Sequence, residues 1–110
     1  MSPINQQMQT TMTDDTAEIL RAKVALETAQ IAWRELQRFF AAGTAVAVAA
    51  ELDLVEVAMQ ISQDNKAQVE SWMREGRVGR VSDEQAKAWF DADAVLWAVV
   101  VRPWVLLQPV

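Results

Sequence analysis

The stretch Val95-Leu-Trp-Ala-Val-Val-Val-Arg-Pro-Trp-Val-Leu-Leu-Gln108 is the most apolar part of the chain. Its β-branched and aromatic residues predict a strand over 95–108, bent or bulged at Pro103 because proline lacks the N–H that a sheet ladder needs. The stretch is too short, and too interrupted by Arg102 and Pro103, to cross a membrane, which takes about 20 apolar residues. Both faces of the predicted strand are apolar. Either helices of the same chain cover both faces, or one face meets a partner.

A long N-terminal helix is predicted upstream, between Asp15 and Ala42. Asp15 and Glu18 have the spacing of a capping box, and Gly43 stands where a left-handed residue ends a helix. A break near 26–28 is compatible with the same pattern, because Thr28 is a weak helix former. The apolar side chains of this helix are spaced by threes and fours, as in a coiled-coil seam: Ile19, Ala22, Leu26, Ala29, Trp33, Leu36 and Phe40.

Short elements with recognisable boundaries occupy the middle of the chain. The order helix, strand, helix, helix, strand, helix, strand predicts an α+β fold with a small three-stranded sheet, similar to a winged helix-turn-helix. This domain is predicted over 14–110, after a disordered polar tail over 1–13. Met73 and Phe90 are predicted to face the core. The middle elements are a strand over 44–49, a helix capped by Asp53, a helix over 66–75, a strand over 77–81 and a short helix capped by Ser82.

Composition excludes several classes of function. The 110 residues carry ten Lys and Arg against fifteen Asp and Glu, a net charge of -5 that disfavours nucleic acid and anionic membranes as partners. The chain has neither Cys nor His, so it offers no thiolate nucleophile, no usual general base and few metal ligands. We therefore expect no enzymatic activity, no cofactor and no metal. Residues 1–13 lack the features of a secretory signal, which together with the missing Cys predicts a cytoplasmic protein.

Two groups of carboxylates are weighed as sites. The first lacks the spacing and the glycine of a calcium loop, and we interpret it as a solvated acidic surface. The second has no nucleophile or oxyanion hole beside it, and two of its members have a capping role, so catalysis is disfavoured. The first group is Asp83, Glu84, Asp91 and Asp93, and the second is Glu35, Asp53 and Glu56.

Four segments carry a likeness to a known family. They are Trp33–Phe40 followed by Gly43, Leu52–Ala58, Val69–Trp72 before Gly76, and Leu96–Gln108. Over 17–108 the chain resembles a family of short bacterial proteins known as domain of unknown function 2288. Its most specific segment contains Pro103-Trp104-Val105-Leu106 and Gln108, whereas the Ala-rich 44–50 departs from the more Val- and Ile-rich strand of the family. The resemblance implies one domain and no particular activity.

The apolar seam and the two-sided last strand predict a non-catalytic, cytoplasmic protein–protein interaction module. We expect it to form a homodimer or to bind another protein, because symmetric dimers are the commonest oligomers and large apolar patches are rare on monomers. Tryptophan and large aliphatic side chains on these two elements are the interface candidates: Leu26, Trp33, Leu36, Phe40, Trp97 and Trp104.

The alternative is a winged-helix DNA-binding regulator that uses the helix over 66–75 for recognition. Four cations support it by forming a basic edge on or near this helix. Glu70 and Glu75 on the same helix oppose it. The four cations are Lys66, Arg74, Arg77 and Arg80.

The balance of charge predicts no sequence-specific binding to duplex DNA at physiological salt, because the acidic chain repels phosphate. A fluorescence anisotropy titration against a pool of duplexes checks this. Submicromolar retention that depends on DNA sequence would contradict it.

Overall fold

A computed structural model describes residues 16–110 as an α+β fold. Over these residues no helix is both long enough and apolar enough to cross a membrane. The predicted tail over 1–13 and the predicted cap at Asp15 lie outside the described residues. The elements are α1 (16–27), β1 (Ala29–Ala32), α2 (Trp33–Ala41), β2 (Ala45–Val48), α3 (Leu54–Ser62), α4 (Lys66–Arg74), β3 (Val78–Arg80), α5 (Asp83–Asp91), β4 (Val95–Val101) and β5 (Trp104–Pro109).

The five strands form one mixed sheet in the order β1-β4-β5-β2-β3. The single strand predicted over 95–108 is wrong, because the chain reverses at Arg102 and Pro103, whose peptide bond is cis, and forms the β4–β5 hairpin. β5 also pairs in parallel with β2, with Leu106 beside Val46. β1 and β3 are the two edges of the sheet.

Helices of the same chain cover both faces of the sheet. On one face, called the α3 face, Val99 and Leu106 share a core with residues of α1, α3 and α4. On the other, called the α2 face, Ala98 and Leu107 share a core with residues of α2 and α5. Successive residues of a strand point to opposite faces, so the parts of β4 and β5 that are covered on both faces are apolar at successive positions. Of the two alternatives for the last strand, coverage within the chain is what the structure shows.

The prediction of one long helix between Asp15 and Ala42 is wrong. α1 ends at 27, where the Thr28 hydroxyl donates to the Val24 carbonyl at 2.8 Å. The chain then extends as β1, which pairs with β4, and α2 begins at Trp33. A spacing of threes and fours describes two short helices as well as one long helix. It carries no information about the ladder that residues 29–32 form with a strand more than sixty positions away.

The predicted three-stranded, winged-helix-like sheet is wrong for the same reason. The additional strands are β1, hidden in the helical pattern, and the second arm of the hairpin. A winged helix has a small antiparallel sheet beside its helices, whereas this sheet contains the parallel β2–β5 pair and has helices on both faces. The α+β class itself stands.

The boundaries of the middle elements agree with the sequence. Asp53 accepts hydrogen bonds from the backbone of Val55 and Glu56, and Ser82 forms a capping box with Gln85. Helix α2 is followed by Gly43 at φ 77°, a conformation that costs glycine nothing. These signals lie within a few residues of the boundary that they mark, which is why they are readable from sequence.

Two side chains predicted to face the core are exposed instead. Met73 of α4 is 55% exposed and Phe90 of α5 is 62% exposed. On each helix the preceding residue, Trp72 or Trp89, packs against the core. The next position on a helix is turned by about 100°, so these tryptophans direct Met73 and Phe90 outward.

The Gln108 side chain fixes the loop between β2 and α3. Its amide Nε2 donates to the carbonyls of Ala49 at 2.8 Å and Leu52 at 2.6 Å. We expect Gln108→Glu to lower the free energy of unfolding by about 1–3 kcal/mol, because two carbonyls lose their donor and face a carboxylate. Urea denaturation measures this change. Gln30→Glu on the exposed edge strand is the control and should change stability by less than about 0.5 kcal/mol; equal losses in both variants would contradict the assignment.

Candidate interaction surfaces

Three of the predicted interface residues lie on α2 in the core of the α2 face. Trp33 and Leu36 are buried and Phe40 is half-buried. The Trp33 ring packs edge-to-face on Trp89, with centroids 5.2 Å apart, and lies 5.9 Å from Phe40. The indole Nε1 of Trp33 is buried and has no hydrogen-bond acceptor among residues 16–110. The apolar surface of these side chains is therefore used within the chain.

Leu26 is the most exposed large apolar side chain among residues 16–110. It is 87% exposed, and Ile19 on the same helix is 68% exposed. α1 contacts the α3-face core through Leu20 and Val24. At 100° per residue, Ile19, Ala22 and Leu26 lie on the opposite side of the helix from Leu20 and Val24. α1 thus has two apolar stripes, and we call the exposed one (Ile19, Ala22, Leu26) the outer stripe.

An ion pair fastens α1 to the start of α3. The Arg21 guanidinium donates to the Glu56 carboxylate, which also accepts from the Gln60 amide at 2.8 Å. The hydrogen bond from Arg21, and then that from Gln60, lowers the pKa of Glu56 below its ordinary value. The same pairing raises the pKa of Arg21. The sequence suggested Glu56 as a capping-box partner of Asp53, but its side chain bonds to α1 instead.

A second surface lies between α4 and the sheet on the α3 face. Trp97 and Trp104, the remaining interface candidates, are both half-buried against this core. Trp104 forms part of a groove of about 240 Å³. We name it the Trp104 groove, and its lining is Val46, Ile61, Val69, Met73, Val78, Gly79, Arg80 and Trp104. A neighbouring hollow of about 210 Å³ shares Ile61, Val69 and Trp104 with it and is also lined by Asp64, Asn65, Lys66 and Glu70.

Local turns place the walls of the groove. Asn65 caps α4 by accepting from the Gln68 backbone, after a turn in which Asp64 has φ 57°. At the other end of α4, Gly76 at φ 75° reverses the chain into β3. These two turns lay α4 over the sheet, with β3 at the mouth of the groove.

Arg80 is the only charged residue that lines the Trp104 groove. Its guanidinium lies 5.9 Å from the Trp104 ring centroid, a cation–π distance. Among the described ion pairs, Arg77 has Glu75 at 3.7 Å and Glu51 at 3.9 Å. No carboxylate of residues 16–110 lies within 4.0 Å of Lys66, Arg74 or Arg80. Within residues 16–110, the basic edge foreseen in the sequence therefore keeps three cations without a carboxylate partner.

Four of the carboxylates weighed as catalytic or metal sites have partners in the fold: Asp53 caps α3 and Glu56 pairs with Arg21. Asp91 pairs with Lys87 at 2.8 Å, and Asp93 pairs with Arg34 at 3.0 Å. Within residues 16–110 no three acidic residues come close enough together to hold a metal ion. The side chains that the fold brings together are suited to binding apolar surface and single charges. The absence of enzymatic activity stays a prediction.

The sequence did not reveal that the outer stripe of α1 and the Trp104 groove are two separate surfaces. The outer stripe of α1 was included in a seam that continued into α2. Leu20 and Val24, which widen the apolar face of the predicted helix, were the signal that α1 has a second side to bury. The Trp104 groove joins residues 46 to 104, and no local pattern announces it.

Comparisons with known proteins identify the fold. The family described as "Protein of unknown function (DUF2288)" matches residues 19–109. The NMR solution structure of PA1075 from Pseudomonas aeruginosa is similar, with a TM-score of 0.74 and 46% sequence identity over 83% of this chain and 84% of that chain. No curated protein matches. Neither the family description nor the name of that structure states an activity.

The contact between α1 and α3 predicts a dependence on pH. Because the folded-state pKa of Glu56 is lowered, its contribution to holding α1 is complete above the ordinary Glu pKa of 4.5 and is lost as pH falls through the folded-state value. We expect the Glu56 carboxyl to titrate below 4.5 by NMR, and Arg21→Gln to move its pKa upward. Arg38→Gln on α2 is the control and should leave the titration unchanged. An Arg21→Gln variant with the wild-type titration would contradict the pairing.

Proposed function

This chain belongs to the DUF2288 family of proteins of unknown function, and we propose that it is a non-catalytic protein–protein interaction module that self-associates through the outer stripe of α1. The observation that carries the proposal is the exposure of Leu26 and Ile19 on the side of α1 that faces away from the core. Burying the exposed apolar surface of these two side chains in an interface would stabilise the dimer by about 25 cal/mol per Å².

The sheet does not require a partner, and this changes the kind of dimer to expect. Both faces of the β4–β5 hairpin are covered by the chain's own helices. The obligate dimer suggested by the two-sided strand therefore loses its motivation. What remains is α1, a helix fastened to the body by Leu20, Val24 and the Arg21–Glu56 pair. We propose a reversible dimer of folded monomers.

The spacing of the outer stripe favours a parallel two-stranded coiled coil. Ile19 and Leu26 occupy consecutive a positions and Ala22 the d position between them. Glu18 then stands at g and Lys23 at e. In a parallel pair, g of one helix faces the following e of its partner, so each Glu18 meets a Lys23 of the other copy. Because the dimer has a two-fold axis, this Glu18–Lys23 contact occurs twice.

The size of the stripe limits the affinity. A standard protein–protein interface buries about 1,200–2,000 Å² in total. Two helices that meet along one short seam bury less than this, and the small Ala22 at the centre reduces the contact further. We therefore expect dimers at high protein concentration and monomers on dilution.

The cellular location and the DNA-binding alternative are separate questions from the dimer. A cytoplasmic location is proposed from composition alone. The DNA-binding alternative depended on a winged-helix architecture, which the five-stranded sheet replaces. α4 also buries Trp72 against the sheet and presents Glu70 among its cations, so no observation favours it as a recognition helix.

Sedimentation velocity from micromolar to submillimolar concentration tests the dimer. The mean mass should rise from the 12.3 kDa of the chain toward twice that value. We expect Leu26→Lys to keep the protein monomeric, because a charge in the seam cannot be buried unpaired. Phe90→Lys is the matched control, since Phe90 is also an exposed apolar residue near a helix end, and it should dimerise as the wild type does.

Charge reversal tests the parallel register. Glu18→Lys or Lys23→Glu alone should weaken the dimer by placing like charges together, and the double variant should recover it. A chain that stays at 12.3 kDa throughout the range, or a Leu26→Lys variant that dimerises normally, would refute the proposed function.

A further inference from the structure

β3 is an open edge of the sheet with hydrogen-bonding groups directed outward. The bonds from Ala49 N–H to Arg77 C=O and from Val81 N–H to Ala45 C=O direct residues 77 and 81 toward β2. Bonding direction alternates along an antiparallel strand, so the N–H and C=O groups of Val78 and Arg80 point away from β2. No other strand among residues 16–110 pairs with this side. An extended chain laid against β3 would find donors and acceptors ready to continue the sheet.

The Trp104 groove opens beside this edge on the same face of the sheet. Arg80 and Val78 pair with Val46 and Val48 of β2, so their side chains lie on the α3 face with the groove. The wall formed by α4 ends in Met73, which is 55% exposed. A strand added to β3 would direct alternate side chains toward this apolar entrance.

The positive charge of Arg80 at the entrance of the Trp104 groove favours a negatively charged binding partner. Among residues 16–110, Arg80 is the only charge that lines the groove, and Arg74 near the end of α4 also has no carboxylate partner. Lys66, Asp64 and Glu70 line the neighbouring hollow, and the carboxylates of Glu51 and Glu75 lie beside Arg77. A second copy of β3 would bring its own Arg80 to this edge, and like charges across adjacent strands are unfavourable. The site therefore fits a different chain that carries negative charge.

We propose that β3 and the Trp104 groove bind, as an added strand, an extended segment of another protein in which an apolar residue and an acidic residue stand two positions apart. Backbone hydrogen bonds to Val78 and Arg80 supply affinity, as in other cases of strand addition. An apolar side chain of the segment enters between Met73 and Trp104. A carboxylate two positions along the segment, on the same face as that apolar side chain, pairs with the Arg80 guanidinium, which is already held over the Trp104 ring.

The shortness of β3 suits this selectivity. Its three residues and the charge of Arg80 are the features by which edge strands avoid indiscriminate pairing. A neutral strand gains few hydrogen bonds here and leaves the cation unpaired. An acidic apolar segment gains the same bonds together with the ion pair and the groove.

A selection from a random dodecapeptide library against the full chain tests the proposal. We expect enriched peptides to carry an apolar residue and an acidic residue two positions apart, which puts both side chains on one face of a strand. Their affinity, measured by fluorescence anisotropy, should fall at least about tenfold in Arg80→Glu and should weaken as salt rises. Arg102→Glu is the control, because it makes the same charge change in the hairpin turn and should bind as the wild type does.

A second pair of variants separates the edge from the charge. Arg80→Gln removes the guanidinium and keeps the outward N–H, whereas Arg80→Pro removes both and leaves the ladder to β2 its donors. We expect Arg80→Pro to bind more weakly than Arg80→Gln, with melting temperatures confirming that both are folded; if Arg80→Pro unfolds, N-methylation of the peptide backbone replaces it. No enriched peptides, enrichment with a helical period, or equal binding by Arg80→Glu would overturn the proposal. Dimerisation through α1 is measured without peptide, so either proposal can fail alone.

Discussion

The β4–β5 hairpin is the constraint on which the rest of the structure depends. Its strands lie at the centre of the sheet and are apolar on both faces, so the chain must place a helical layer on each side. α2 and α5 form one layer, and α3, α4 and one side of α1 form the other. Each helix therefore commits one stripe of apolar residues to the sheet. Apolar side chains outside these stripes are not needed to cover the sheet and are candidates for binding a partner.

Two of the places that keep such side chains among residues 16–110 differ in chemistry. The outer stripe of α1 is a narrow aliphatic seam flanked by one acid and one base, which suits an identical helix. The edge at β3 combines unpaired backbone groups, an apolar groove and a cation, which suits an acidic strand. The two surfaces share no residue. If both proposals hold, the protein can bind a partner segment while it associates with a second copy of itself, and neither process makes or breaks a covalent bond.

Local signals in the sequence predicted the elements whose determinants lie within a few residues. Asp53, Ser82 and Gly43 mark boundaries correctly because a cap or a left-handed residue acts on its own turn. The predictions of one helix over 15–42 and one strand over 95–108 were wrong because the breaks in these segments depend on distant partners. Pairing with β4 keeps 29–32 extended, and β5 pairs with β2, which is far away in the sequence. The candidate interaction surfaces were likewise predictable only in part. Leu26 and Trp104 were identified by type, but only the fold shows that one faces solvent and the other a groove beside Arg80.

The position of β5 has a consequence for the order in which the chain can become ordered. β5 follows every other strand along the chain, yet it joins β4 and β1 on one side to β2 and β3 on the other. Until residues 104–109 are available, the two halves of the sheet have no common strand. A nascent chain still attached to the ribosome at these residues exposes the side of α3 that packs against β5. The sheet closes late, through contacts of large sequence separation, so apolar helices must stay soluble until synthesis has passed β5.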